Sequence, residues 1–168
     1  MLIDHGTDMS AQNEDRSTVL HLASWNGHVD LGQMLIDRST DVLAQKKDRW
    51  TALYLASWNG HVNLGQMLID HSTNMSAQNN YRSTVLHLAS QNGHIDVGRI
   101  LIECSTNVSA QNKNRSTALH LALENGHVCP SAKCNITCRC LTKYLSDLPP
   151  PASLRKPSAS KISASCIS

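Results

Sequence analysis

The sequence predicts an all-α solenoid: short antiparallel helix pairs stacked in one direction, each pair followed by a projecting hairpin loop. Three observations carry this expectation. The stretch T-V-L-H-L-A-S-W-N-G-H-V-D-L-G-Q-M-L-I-D at residues 18–37 returns almost letter for letter at residues 51–70, and more freely at residues 84–103. Arg16, Arg49, Arg82 and Arg115 mark one phase of the repeat, 33 residues apart. Each copy also holds two apolar stretches separated by Asn-Gly, a dipeptide that accepts a left-handed backbone. A fixed period of this length signals a repeat array, in which each unit touches only its neighbours and the core is a thin seam.

Taken in order, residues 1–15 align with the second half of the later units, Leu2-Ile3-Asp4 matching Leu35-Ile36-Asp37. The chain therefore opens partway through a repeat, and the expectation is that the reading frame begins inside a longer array. Three full units follow, at residues 16–48, 49–81 and 82–114. The first two agree at 22 of 33 positions, so their matching letters reflect duplication as much as demand. In the first unit Thr18 is placed to cap a helix over residues 20–25, its hydroxyl accepting the N–H of His21. Asn26-Gly27 ends that helix. Residues 28–37 form the second, with Val29, Leu31, Met34, Leu35 and Ile36 as a wide apolar face. Residues 38–48 are polar and turn-like, suited to a hairpin.

Residues 115–128 begin a fourth unit that stops matching at Cys129. Residues 129–168 form a Cys-, Ser- and Pro-rich tail. Leu141, Tyr144, Leu145 and Leu148 have the spacing of a helix that would lie over the end of the array. Pro149-Pro150-Pro151 ends any such helix. The Ser-rich remainder reads as disordered.

Composition narrows the function classes. The net charge of +2 hides a split, with nine Lys/Arg and twelve Asp/Glu in residues 1–128 against six and one in the tail. An array of net −3 is a poor electrostatic footprint for nucleic acid. The N-terminus lacks the pattern of a secretory signal, and no apolar stretch approaches a membrane span. A soluble intracellular protein with no membrane or nucleic-acid partner is expected. There is no Gly-rich phosphate loop, no G-x-S-x-G turn and no H-E-x-x-H, so neither an enzyme nor a cofactor is expected.

The T-x-L-H-x-A opening, the N-G-H between the helices and the L-I-[DE] ending resemble the ankyrin repeat, over residues 1–127. The departures are specific. The family's Pro after Thr is Val19, Ala52, Val85 or Ala118. Its Gly in the hairpin turn is Arg16, Arg49, Arg82 or Arg115, which puts a side chain where φ > 0 is expected. Its Gly after the second helix persists as Gly6 but becomes Ser39, Ser72 and Ser105. Gly32, Gly65 and Gly98 fall mid-helix in place of a branched aliphatic, each costing about 1 kcal/mol of helix propensity. A correctly folded but marginal array is expected.

The resemblance implies a non-enzymatic protein–protein interaction module, a scaffold or adaptor. It also implies a partner surface on the hairpin tips and the exposed side of the first helices. By phase, the tips are Glu14, Asp15 and Ser17; Lys47, Asp48 and Trp50; Asn80, Tyr81 and Ser83; Lys113, Asn114 and Ser116. The first-helix positions are Trp25, Trp58, Gln91 and Glu124, beside Asn26, Asn59, Asn92 and Asn125. Trp25, Trp58 and Trp50 bring large aromatics together, as binding hot spots do; the alternative is that each Trp covers the seam of its own repeat. His21, His87 and His120 share one repeat phase and His28, His61, His94 and His127 another, so they belong to the scaffold. Tyr54 stands in for His in the second unit. Cys129, Cys134, Cys138 and Cys140 are four thiols in number enough for a tetrahedral zinc site, but their spacing matches no C-x2-C pair. A structural zinc tail and a truncated remnant without function remain as alternatives. The sequons at Asn74, Asn107 and Asn135 are accidental in an intracellular protein. A monomer is expected.

Overall fold

In a computed structural model, residues 9–71, 74–104 and 106–127 are described. They form seven helices and, among these residues, no strand. The helices are α1 (Val19–Asn26), α2 (Val29–Asp37), α3 (Ala52–Asn59), α4 (Val62–His71), α5 (Val85–Gln91), α6 (Ile95–Glu103) and α7 (Ala118–Glu124). α1, α3, α5 and α7 pack one on the next as an inner layer, and α2, α4 and α6 as an outer layer. The all-α solenoid follows as expected from the period.

The capping expectation holds and extends. Thr18 Oγ1 accepts the His21 N–H at 3.4 Å, while His21 Nδ1 accepts the Thr18 N–H at 3.2 Å, a reciprocal capping box. Thr84 with His87 and Thr117 with His120 repeat it. At the other end of α1, Gly27 has φ 72, and a Cβ there would meet the His61 ring at 2.5 Å. The conformation and the packing of the next unit both demand glycine, and Gly60 and Gly93 meet His94 and His127 in the same way. The second helix begins one residue later than expected, at Val29, with His28 as its cap position. Its deeply buried face is narrower than the pattern suggests. Leu35 and Ile36 are buried while Val29, Leu31 and Met34 are only partly so, because the outer layer is covered from one side.

The seam runs through Leu20, Leu35, Leu53, Leu64, Leu68, Leu86 and Leu101, all nearly or fully buried, with Ala23, Ala56 and Ala89 allowing close helix approach. Small residues at these points bring the inner helices near enough for polar bonds between units. His21 Nε2 lies 3.1 Å from the Trp50 carbonyl and His87 Nε2 3.0 Å from the Ser116 carbonyl. The fully buried Tyr54 donates its hydroxyl to the Ser83 carbonyl, 2.7 Å away, at the same sequence separation. Tyr54 thus makes the inter-unit bond of the histidines, without their capping box, since Thr51 has no side-chain cap bond.

The hairpin turns are built around Asn. Asn13 Oδ1 accepts the N–H groups of Asp15 and Ser17, and Asn79 and Asn112 do the same in their units. The backbone turn bond common to all four units, from the N–H of the fourth tip residue to the carbonyl of the first, is kept in the second unit although Lys46 replaces the Asn. The fourth residue lies on left-handed backbone throughout: Arg16, Arg49, Arg82 and Arg115 have φ 61, 63, 57 and 62. The expectation of positive φ at these arginines is met, at about 1–2 kcal/mol each relative to a residue without Cβ. Ser39 also has φ 61; Gly6, Ser72 and Ser105 lie outside the described residues. Single backbone bonds tie successive tips, Lys47 N–H to the Asp15 carbonyl, Asn80 N–H to Asp48 and Lys113 N–H to Tyr81.

Candidate interaction face

The inner helices and the hairpin tips meet along one side of the array, and a tryptophan divides it. Trp50 comes from the second tip, where the other units carry Ser17, Ser83 and Ser116. Its ring packs on Trp58, centroids 5.5 Å apart and planes tilted by 51°, and on Tyr54 at 6.1 Å. On one side of Trp50 lies a hollow of about 270 Å³ walled by Leu22, Trp25, Leu55, Lys46 and Asp48. On the other lies a hollow of about 330 Å³ walled by Trp58, Tyr81, Leu88, Gln91, Asn114 and Leu121. The second wall has no charged side chain.

The two tryptophans of equal phase differ because their tips differ. Trp58 has Trp50 against it and is partly buried, whereas Trp25 faces Ser17 and stays 48% exposed. Both line hollows, and Trp58 also packs against the core seam. Their carbonyls are held by the following unit: His61 Nε2 is 3.0 Å from the Trp25 carbonyl and His94 Nε2 2.8 Å from that of Trp58. His61 and His94 of the second histidine phase therefore serve the scaffold. So do His21 and His87 of the first, which are buried between units, and burial holds both below the ordinary histidine pKa. Burial likewise raises the Tyr54 phenol.

Of the expected surface residues, Glu14, Asp15, Lys47, Asp48, Asn80, Tyr81, Lys113, Asn114 and Glu124 are exposed. Tyr81, at 66%, is the most open of the large hydrophobics. Ser17 and Ser116 are half-buried and Ser83 is buried, its carbonyl occupied by Tyr54. Asn26 and Asn59 spend a side-chain N–H on the Leu22 and Leu55 carbonyls of their own helices, while Asn92 reaches back to the Trp58 carbonyl. The residues that sequence reasoning passed over are Leu22, Leu55, Leu88 and Leu121, which line the hollows. The signal was the central Leu of each H-L-A or Y-L-A triplet, which in Leu55 and Leu88 is buried and in Leu22 stays exposed. Cys129, Cys134, Cys138 and Cys140 lie outside the described residues. Among the described residues no group of three or more His, Cys, Asp or Glu is placed to hold a metal ion. No described helix is long and apolar enough to cross a membrane.

The family model for ankyrin repeats in three copies matches residues 1–79 and 66–133. The chain belongs to the ankyrin-repeat family. Ankyrin repeats are generally protein–protein interaction modules. Comparison with curated proteins finds no match.

Proposed function

We propose that this ankyrin array is a non-enzymatic, monomeric intracellular adaptor that binds another protein along its inner-helix and hairpin face. The observation that carries the reading is the Trp50 wedge, with a partly apolar hollow on either side. Rigid aromatic area beside concave, partly apolar walls is the composition of interface hot spots. The neutral second hollow and the array's net negative charge favour a protein over nucleic acid.

Trp25 is the cleanest probe, because its half-exposed ring contributes less to the core than Trp58. Trp25→Ala is expected to weaken partner capture from native extract, read by mass spectrometry, with circular dichroism and melting temperature unchanged. Trp58→Ala is expected to weaken capture further, with some loss of melting temperature from the lost Trp50 contact. Undiminished capture by both variants sinks the proposal.

A further inference from the structure

The charge of the array is sorted by position. The four tip segments, residues 13–17, 46–50, 79–83 and 112–116, hold seven Lys/Arg against three Asp/Glu, a net of +4. The first tip, with Glu14 and Asp15, is negative, so the second to fourth tips together carry +5. The remaining described residues set only Arg38 and Arg99 against seven carboxylates, a net of −5, and five of those seven sit on α2, α4 and α6. The acids are thus gathered on the outer layer and the bases on the rim of the groove.

Within that rim the lysines of the second tip already have partners, Lys46 with Asp48 and Lys47 with Asp15, each at 3.9 Å. Arg16, Arg49, Arg82 and Arg115 are exposed and take part in none of the ion pairs among the described residues. Each of these arginines occupies left-handed backbone that glycine would take without strain. Strain retained at a surface position points to a use for the side chain. Their neighbours say where that use lies. Arg49 stands between Asp48 and Trp50, which wall the first hollow, and Arg82 between Tyr81 and Ser83, which line the second. Arg115 follows Asn114 of the same wall.

We infer that the groove takes an extended acidic peptide segment of a partner protein. Its apolar side chains enter the hollows flanking Trp50, and its carboxylates pair with Arg49, Arg82 and Arg115. The inference rests on the concave-face reading above and adds the partner's charge. A guanidinium presents a planar fork that matches a carboxylate with two parallel bonds. Three such groups, on tips whose neighbouring residues line the hollows, select alternating acidic and apolar residues. A nucleic-acid strand carries a phosphate on every residue, whereas three arginines on tips whose neighbours line the hollows match carboxylates that alternate with apolar side chains.

The test uses the purified full chain and a fluorescein-labelled peptide alternating Glu and Leu, read by fluorescence anisotropy at low salt. Counterparts carry Gln or Lys in place of Glu, and an oligothymidylate is the nucleic-acid probe. The variant Arg49→Gly/Arg82→Gly puts glycine on left-handed backbone, so it is expected to melt higher than the parent while binding the Glu peptide about tenfold more weakly. In the parent, the Gln peptide is expected to bind about tenfold more weakly than the Glu peptide, the Lys peptide weaker still, and added salt to weaken the Glu complex. Unchanged affinity in the glycine variant overturns the inference, as does tighter binding of the oligothymidylate than of the Glu peptide. Equal binding of Glu and Gln peptides, abolished by Trp58→Ala, overturns the charge assignment and leaves the concave-face reading standing. Binding of no peptide overturns the inference, while capture by the Trp25→Ala variant tests the concave-face reading independently.

Discussion

Gly65→Ala is expected to stabilise the array, and Gly32→Ala, one repeat earlier at the same phase, is not. Both glycines are buried inside outer-layer helices, Gly32 in α2 and Gly65 in α4. Replacing a mid-helix Gly by Ala recovers about 1 kcal/mol of helix propensity at either site. The surroundings then separate them. A Cβ on Gly65 meets nothing within 4 Å, so the methyl displaces no neighbour and the net gain stays at about 1 kcal/mol. A Cβ on Gly32 falls 2.5 Å from Leu64 Cδ1, and Leu64 is fully buried in the seam. Displacing a packed leucine costs about 1–3 kcal/mol, which cancels or exceeds the propensity gain. Urea and thermal denaturation followed by circular dichroism read the difference. Gly65→Ala is expected to raise the melting temperature by about 3–6 °C per kcal/mol gained, with Gly32→Ala level or lower. Equal stabilisation by both substitutions, or none by Gly65→Ala, refutes the packing argument.

Three further outcomes follow from particular side chains. Lys46 occupies the turn position where Asn13, Asn79 and Asn112 each accept two backbone N–H bonds; Lys46→Asn is expected to restore that pair and gain about 1 kcal/mol in urea denaturation. Ser57 Oγ is buried without a hydrogen-bond partner; Ser57→Ala is expected to raise stability by about 1 kcal/mol, and a loss would mean the hydroxyl has a partner in solution. Burial lowers the pKa of His21 and of His87 from 6.5, outweighing the bonds to the Trp50 and Ser116 carbonyls. The folded state then binds fewer protons than the unfolded one, so this stability is complete above about pH 6.5 and falls as the pH drops below it, by at most about 1.4 kcal/mol per pH unit per histidine. Urea midpoints that stay level from pH 7.5 to pH 5 would contradict this.

The period of 33 residues was enough to read the architecture, because in a repeat array each unit's contacts are made with an adjacent copy of itself. The same logic made the histidines legible as scaffold, since a residue recurring in phase is placed by the repeat. It also marked the positive-φ arginines, which stand where the family's turn has glycine. The candidate surface was legible as positions and not as a shape. Which tryptophan is open and which is packed depended on Trp50, and Trp50 meets Trp58 only once the hairpin folds over the inner helix. The hollow-lining leucines were hidden by their regularity, for an apolar residue in each H-L-A triplet reads as core, as Leu88 is, and gives no sign that the same side chain also walls a hollow.

The glycines show the division most sharply. Gly32 and Gly65 are one letter in two copies of nearly the same unit, and by propensity alone they carry the same penalty. Only the tertiary structure separates them. A Cβ's cost depends on the atoms within van der Waals reach, and those come from the neighbouring unit: Leu64 against Gly32, and open space beside Gly65. Local backbone preference was written in the sequence. Packing between copies was decided by their stacking.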